Sequence, residues 1–116
     1  MYNNCTILTN MKLKFYVYCP DDEEVIKQII RVSSTLGAGV YGKYSQVAFL
    51  THGEGNWEPE EGAKPYLGEV GQITRAPVVR IEMTCDKKQA DKIVEAIKEV
   101  HPWEEVDIEF VPLVNL

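Results

Sequence analysis

The stretch "KLKFYVYCPDDEEVIKQIIRVSSTLG", residues 12–37, combines two periodicities that decide the fold. Apolar residues alternate with polar or aromatic ones over residues 13–19, a pattern typical of a strand with one buried face. Asp21 stands three residues before Glu24, which is the spacing of a capping box. Apolar residues then recur at helical spacing as far as Gly37, where a helix would end. The stretch therefore predicts a strand followed by a helix.

The same unit occurs a second time in "VVRIEMTCDKKQADKIVEAIKEVHPWEE", residues 78–105. Its strand pattern also ends at a cysteine, and Asp86 stands three residues before Gln89 in a second capping-box spacing. A helical apolar stripe follows, and Pro102 marks its end because proline lacks the amide hydrogen that a helix needs. The repetition predicts two similar halves.

Each half is followed by another alternating run, at residues 46–52 and 106–113. The order strand–helix–strand, used twice, predicts a ferredoxin-like α+β fold: a four-stranded antiparallel sheet with two helices on one face. Right-handed crossovers further predict that the first strands of the two units lie side by side and parallel. Cys19 and Cys85, which end these strands, are then expected to be buried neighbours about 5 Å apart, without forming a reactive pair.

The sheet face without helices is expected to carry mixed charges and tyrosines. Such a surface suits either solvent or a contact with another subunit, and both interpretations stay open here. The residues predicted for this face are Lys14, Tyr16, Tyr18, Arg80, Glu82, Asp107 and Glu109.

Length and composition narrow the class of protein. The chain has 116 residues, which indicates one domain, and we expect residues 11–116 to form it, after an N-terminal extension at 1–10 with Met11 as the true start. A net charge of -6 with scattered basic residues argues against nucleic-acid binding. No apolar stretch reaches the roughly 20 residues of a membrane span, and no secretory signal is recognisable. Three cysteines, an odd number without a CxxC pair, favour the cytoplasm.

All eight glycines of the chain lie between residues 37 and 71. Neither a dinucleotide loop nor a phosphate loop fits them, because the strand–glycine–helix order and the GK[ST] signature are missing. Aromatic residues and prolines among the glycines instead predict an ordered, extended arm or hairpin at residues 53–71 that clasps a neighbour or lines a cleft. The structural glycines are Gly37, Gly39, Gly42, Gly53, Gly55, Gly62, Gly68 and Gly71.

The two histidines do not form a recognisable metal motif. His52 ends a strand pattern and His101 ends a helix pattern, where a cationic histidine would cap the helix dipole. Clustered Cys/His spacings and HExxH are absent from the sequence. We therefore expect no dedicated cofactor, while a divalent metal bound through His101 and Glu104 remains an alternative.

Three segments together resemble a known family: "GAGVYGKYSQVAFLTHGEGNWEPEEGAKPYLGEVGQ" at 37–72, "VRIE" at 79–82 and "HPWEEVDIEFVPL" at 101–113. They are similar to the domain inserted in NIF-three-like dinuclear-metal proteins, also called GTP cyclohydrolase type 2-like proteins. That domain resembles the PII signalling proteins and CutA, which share the ferredoxin-like plan and form trimers. Trp103 stands where CutA usually has tyrosine.

The resemblance implies a stand-alone, cytoplasmic PII/CutA-like module that forms a homotrimer. The family's two-metal site is implied to lie in a flanking domain, so its metal chemistry is not expected in this chain. A ligand cleft is expected where the glycine-rich arm meets the turn after the second helix, and we expect Trp103 to reach that arm. The candidate cleft residues are Tyr44, Trp57, Tyr66, His101, Trp103 and Glu104.

Three functions are compatible with the sequence. The first is a non-enzymatic regulatory or small-ligand-sensing trimer, for which no catalytic residues are expected. The second is a CutA-like binder of divalent metal that uses His101 or His52 with Glu104 or a cysteine. The third is a small-molecule hydrolase, for which the sequence offers no competent set of catalytic residues. Titration with metals and nucleotides, followed by tryptophan fluorescence, would distinguish them.

Overall fold

The computed structural model describes residues 11–114, and the expected extension at residues 1–10 lies outside them. Within that range the chain forms four strands and two helices. In chain order the elements are β1 (Lys12–Pro20), α1 (Glu23–Thr35), β2 (Phe49–Trp57), β3 (Thr74–Asp86), a 3-10 turn (Lys87–Gln89), α2 (Ala90–Val100) and β4 (Ile108–Pro112).

The strands form one sheet in the order β2-β3-β1-β4, and every neighbouring pair is antiparallel. The ferredoxin-like α+β fold predicted from the sequence is therefore confirmed. The expectation that the first strands of the two units run parallel is wrong. β1 and β2 run in the same direction, and β3 lies between them. Because the chain reverses direction between β2 and β3, β3 runs against both of its neighbours.

The antiparallel register separates the two strand-ending cysteines. Cys19 pairs with Val79, whereas Cys85 pairs with Leu13 at the other end of β1. Leu13 and Cys19 are six residue steps apart along the strand, which corresponds to about 20 Å. The predicted proximity of the cysteines is therefore wrong, although both are buried free thiols, as expected.

The core lies between the sheet and the two helices. Alternate residues of the central strands point into it, among them Phe15, which is fully buried and packs against Phe110 at a ring-centroid distance of 5.4 Å. From the helices, Ile29 and Ile97 are fully buried. The opposite sheet face, here called the open face, carries Arg80, whose guanidinium lies over the Tyr16 ring. The alternation thus sorts the two faces as the sequence predicted.

The helix ends follow the predicted signals with one shift. Asp22, not Asp21, caps α1, because its side chain accepts hydrogen bonds from the amides of the first turn. The Asp86 amide donates to Gln89 Oε1 at 3.3 Å, as the second capping box predicts. Neither helix within residues 11–114 is long and apolar enough to cross a membrane.

The glycine-rich segment begins as strand and forms one side of a hairpin-like ribbon. Residues Gly53 to Trp57 continue β2 and pair with Thr74 to Val78 of β3, so a two-stranded ribbon extends beyond the rest of the sheet. Residues 58–73 form the loop at its tip, which the Gly71 amide closes by donating to the Pro59 carbonyl at 2.8 Å. Gly68 has φ +105°, and a Cβ there would lie 2.3 Å from Thr74 Oγ1. The loop therefore requires glycine at this position.

Candidate functional site

The loop at residues 58–73 meets the turn that follows α2. The Lys64 amide donates to Glu104 Oε1 at 3.0 Å, which ties the two segments together although they are 40 residues apart. A cavity of about 420 Å³ lies between them on the open face of the sheet. This volume is within the range of small-molecule sites, which is roughly 300–1,000 Å³. We call this cavity the arm cleft.

Aromatic rings form much of the wall of the arm cleft. The rings of Trp57 and Trp103 lie 6.1 Å apart at an angle of 49°. Tyr18, from the end of β1, and Tyr66, from the loop, also line the cavity. The indole of Trp57 is fixed, because its N–H donates to the Leu67 carbonyl at 3.2 Å. The expectation that Trp103 reaches the glycine-rich segment is confirmed, and the contact lies within one chain.

Gly55 makes this wall possible. A Cβ at this position would lie 2.5 Å from Val78 Cγ2 and 3.2 Å from the Trp57 ring. Both distances are shorter than ordinary van der Waals contacts. The absence of a side chain at Gly55 therefore lets Val78 and Trp57 share the floor of the arm cleft.

His101 holds Trp103 in position. The backbone amide of Trp103 donates to His101 Nδ1 at 3.1 Å, and His101 Nε2 lies 2.8 Å from the Tyr18 carbonyl. Since Nδ1 accepts a hydrogen bond, the proton is on Nε2 and the ring is neutral. Burial lowers the pKa of His101 below its ordinary value, against the opposing effect of the bond to Tyr18. The interpretation of His101 as a capping cation is therefore wrong.

The rim of the arm cleft is acidic. Glu104, Glu105 and Asp107 line the cavity, and among the residues the structure describes none of its lining residues is Lys or Arg. Two arginines near the cleft have side-chain partners outside its lining or at its edge. Arg80 donates to Glu82 at 2.9 Å, and Arg75 donates to the Asn56 side chain at 3.0 Å. The electrostatic potential in the cleft is therefore expected to be negative.

The structure brings together most of the predicted cleft residues. Trp57, Tyr66, Trp103 and Glu104 line the cavity, and the His101 ring packs against Trp103 at 5.1 Å between centroids.

Tyr44 lies elsewhere, and its placement in the cleft is wrong. Its backbone pairs with Tyr41 in a tight turn, and its side chain is 75% exposed. The backbone amide of Gly39, in the same loop, donates to the Thr84 carbonyl, toward the opposite end of β3 from Val78. This contact holds the loop that contains Tyr44 away from the arm cleft.

The sequence predictions missed several lining residues. The alternation predicts Tyr18 and Asp107 on the open face, but only the antiparallel register, which pairs Tyr18 with Arg80, brings Tyr18 to the same end of the sheet as Val78 and the loop. The signal that could have found them is the element order, because a hairpin-like return between β2 and β3 fixes the strand directions.

The alternative metal site at His101 and Glu104 does not fit the geometry. Both ring nitrogens of His101 are engaged by the backbone, and Glu104 Oε1 accepts from Lys64. His52 is exposed and pairs with Asp21 at 3.1 Å. Across residues 11–114 the structure gathers no group of three or more His, Cys, Asp or Glu side chains suited to a metal ion.

Comparison with known proteins places this geometry in a wider context. No family model matches the chain. The GTP cyclohydrolase 1 type 2 homolog of Bacillus subtilis (strain 168) is 36% identical over 100 residues, which are 86% of this chain and 26% of that protein. The structure of a Bacillus cereus protein related to NIF3 matches with a TM-score of 0.76 at 30% identity, over 91% of this chain and 26% of that one.

The chain is similar to one domain of the NIF3-related proteins. It spans about a quarter of the length of the relatives it matches. The family resemblance predicted from residues 37–72, 79–82 and 101–113 is thereby confirmed.

A second likeness concerns the fold alone. The periplasmic divalent cation tolerance protein CutA from Archaeoglobus fulgidus matches with a TM-score of 0.62 at 14% identity, over 90% of this chain and 86% of that one. The chain therefore shares the ferredoxin-like fold of CutA.

Proposed function

We propose that this chain is a non-enzymatic, cytoplasmic, trimeric module that senses a small ligand in the arm cleft. The observation that carries the proposal is the cavity of about 420 Å³ with fixed aromatic walls. The Trp57 indole donates to the Leu67 carbonyl, and the Trp103 backbone amide donates to the His101 ring, so the site is formed before any ligand arrives. A preformed apolar cavity with a few polar groups is the usual form of a small-molecule site.

The chemistry of the potential catalytic groups supports binding rather than catalysis. Burial raises the pKa of Cys19 to about 12 and that of Cys85 to about 11. Both groups are therefore neutral thiols at physiological pH and poor nucleophiles. His101, the histidine beside the cleft, uses both ring nitrogens to hold the backbone and so serves as a structural group.

Exposed apolar side chains support the trimer. Phe49 on the edge strand β2 is 65% exposed, and Val111 on the edge strand β4 is 45% exposed. Their partners across the ladders are Glu82 and Lys14, which places both on the open face. Unpaired edges with apolar residues favour association between chains. A symmetric closed assembly would cover them in every copy.

A binding panel and a mass measurement test the proposal. Light scattering is expected to give three times 13.2 kDa at micromolar concentration. Fluorescence of Trp57 and Trp103 is then followed during titration with small aromatic cations, neutral aromatics, aromatic acids and nucleotides. Saturable changes with at least one class are expected. A monomeric mass would refute the proposed trimer. The absence of a fluorescence change with every compound of the panel would refute the ligand-sensing role.

Binding of divalent cations is the second candidate function, because a protein of similar fold from Archaeoglobus fulgidus is a divalent cation tolerance protein. The occupied nitrogens of His101 leave His52 with Asp21 as the more accessible donor pair. Calorimetric titration with Cu²⁺ and Zn²⁺ tests it, with His52→Asn as the matched variant. Binding that persists in this variant and is lost in His101→Asn would restore the site near the cleft.

A further inference from the structure

The aromatic walls and the acidic rim of the arm cleft together restrict its ligand. Trp57, Trp103, Tyr18 and Tyr66 all line one cavity. The face of an aromatic ring carries negative potential and attracts cations, most strongly at tryptophan. Two indoles 6.1 Å apart and tilted by 49° form an open angle in which one group can contact both rings.

The carboxylates act in the same direction. Glu104, Glu105 and Asp107 lie at one side of the cavity, where the turn after α2 leads into β4. Glu104 is fixed there by the Lys64 amide. Phosphate- or carboxylate-bearing ligands would meet these charges without a basic group among the described lining residues to balance them.

We infer that the arm cleft binds an organic cation, meaning a quaternary or protonated amine attached to an apolar or aromatic body. The apolar body occupies the floor made by Gly55, Val78 and Pro65, and the ammonium group lies between the indoles and the carboxylates. Burial of the body contributes affinity, while the rings and carboxylates provide selectivity for positive charge. This inference rests on the proposed ligand-sensing function and names the chemical class of its ligand.

Three probes of similar size and different charge test the inference on the full chain. Benzyltrimethylammonium is the cation, benzyl alcohol the neutral control and phenylacetate the anion, and each is titrated against tryptophan fluorescence. The cation is expected to bind about tenfold more tightly than benzyl alcohol, which corresponds to the usual strength of cation–π contacts. Phenylacetate is expected to bind more weakly than both. The affinity of the cation should fall as salt is added.

Two variants separate the contributions. Trp103→Leu keeps an apolar wall and removes a ring, so it should weaken binding of the cation by about tenfold and that of benzyl alcohol much less. Glu104→Gln keeps an oxygen for the Lys64 amide and removes the charge. It should weaken only the cation, by about twofold to fivefold. Glu60→Gln, an exposed loop carboxylate outside the cavity lining, is the matched control and should change nothing.

The outcomes distinguish the two proposals. Equal binding of all three probes, or preference for phenylacetate, would overturn the inference about charge and leave a ligand cleft in place. Failure of every probe and of the wider panel would remove the cleft as a ligand site. If Trp103→Leu instead splits the assembly while wild-type protein ignores all probes, the cleft holds a side chain of a second copy, and the inference is overturned.

Discussion

Acidification is expected to destabilise the fold through His101, because this histidine is buried in its neutral form. Its Nδ1 accepts from the Trp103 amide, and its Nε2 lies 2.8 Å from the Tyr18 carbonyl. Protonation would place a second hydrogen on Nδ1, opposite the Trp103 N–H. The folded state therefore resists the proton, in agreement with the lowered pKa.

The sign of the effect follows from linkage. The unfolded chain takes up a proton near the ordinary histidine pKa of about 6.5, whereas the folded chain does so only at lower pH. Between these values the unfolded state binds more protons. The contribution of His101 to the free energy of unfolding is therefore fully present above pH 6.5 and falls as the pH falls. For one proton the slope approaches about 1.4 kcal/mol per pH unit. With a urea m-value of about 1–3 kcal/mol/M, the midpoint should fall by about 0.5–1.4 M per pH unit.

Urea unfolding at constant protein concentration, measured between pH 7.5 and pH 5, provides the assay. His52 is exposed, so His52→Asn should keep the slope. His101→Asn and His101→Gln should both remove it, at a cost of about 1–3 kcal/mol each at pH 7.5 for the lost hydrogen bond.

The two His101 variants should differ at the cleft. Asparagine places an oxygen near the position of Nδ1 and keeps an acceptor for the Trp103 amide, whereas glutamine reaches toward the Tyr18 carbonyl instead. Fluorescence of Trp103 should therefore resemble wild type more closely in His101→Asn. A wild-type slope that stays flat between pH 6.5 and pH 5, or a slope that survives both substitutions, refutes the reasoning about His101.

Three further predictions concern other parts of the chain. Gly68→Ala should destabilise the protein by about 1–3 kcal/mol in urea, whereas Gly62→Ala, with open space around it, should cost about 1 kcal/mol. Cys19 and Cys85 should react slowly with a thiol reagent in the folded protein and rapidly in urea; fast labelling of native protein would contradict their burial. Phe49→Asp should dissociate the proposed trimer in light scattering, and an unchanged mass would exclude β2 from the interface.

The fold could be predicted from the sequence because its signals are local. Alternation over residues 13–19 and the capping pair Asp86 and Gln89 each depend on a few neighbouring residues. Strand direction depends on the path of the chain through the glycine-rich segment, which no local pattern specifies. The expectation of parallel central strands places Cys85 beside Cys19, whereas the antiparallel register places it at the other end of β1.

The arm cleft shows the same division between local and distant information. The sequence identifies Trp57 and Trp103 as candidate cleft residues, because each lies near glycine or proline in a segment without a core-forming apolar pattern. Tyr44 also lies near glycines in the sequence. However, the hydrogen bond from the Gly39 amide to the Thr84 carbonyl places its loop at the other end of the sheet. The residues of the cleft are thus selected by long-range pairing, above all by the Lys64–Glu104 hydrogen bond.

His101 shows why the role of a side chain can be harder to predict than its position. A histidine at a helix end next to proline suits a dipole cap when the helix end is exposed. Here the turn folds back, so the ring is buried between β1 and Trp103, and desolvation lowers the pKa of His101 despite its bond to the Tyr18 carbonyl. The sequence contains no sign of this burial, because it depends on Tyr18, 83 residues away, presenting its carbonyl to Nε2. The wall of the cleft therefore depends on the protonation state of a residue that does not line it.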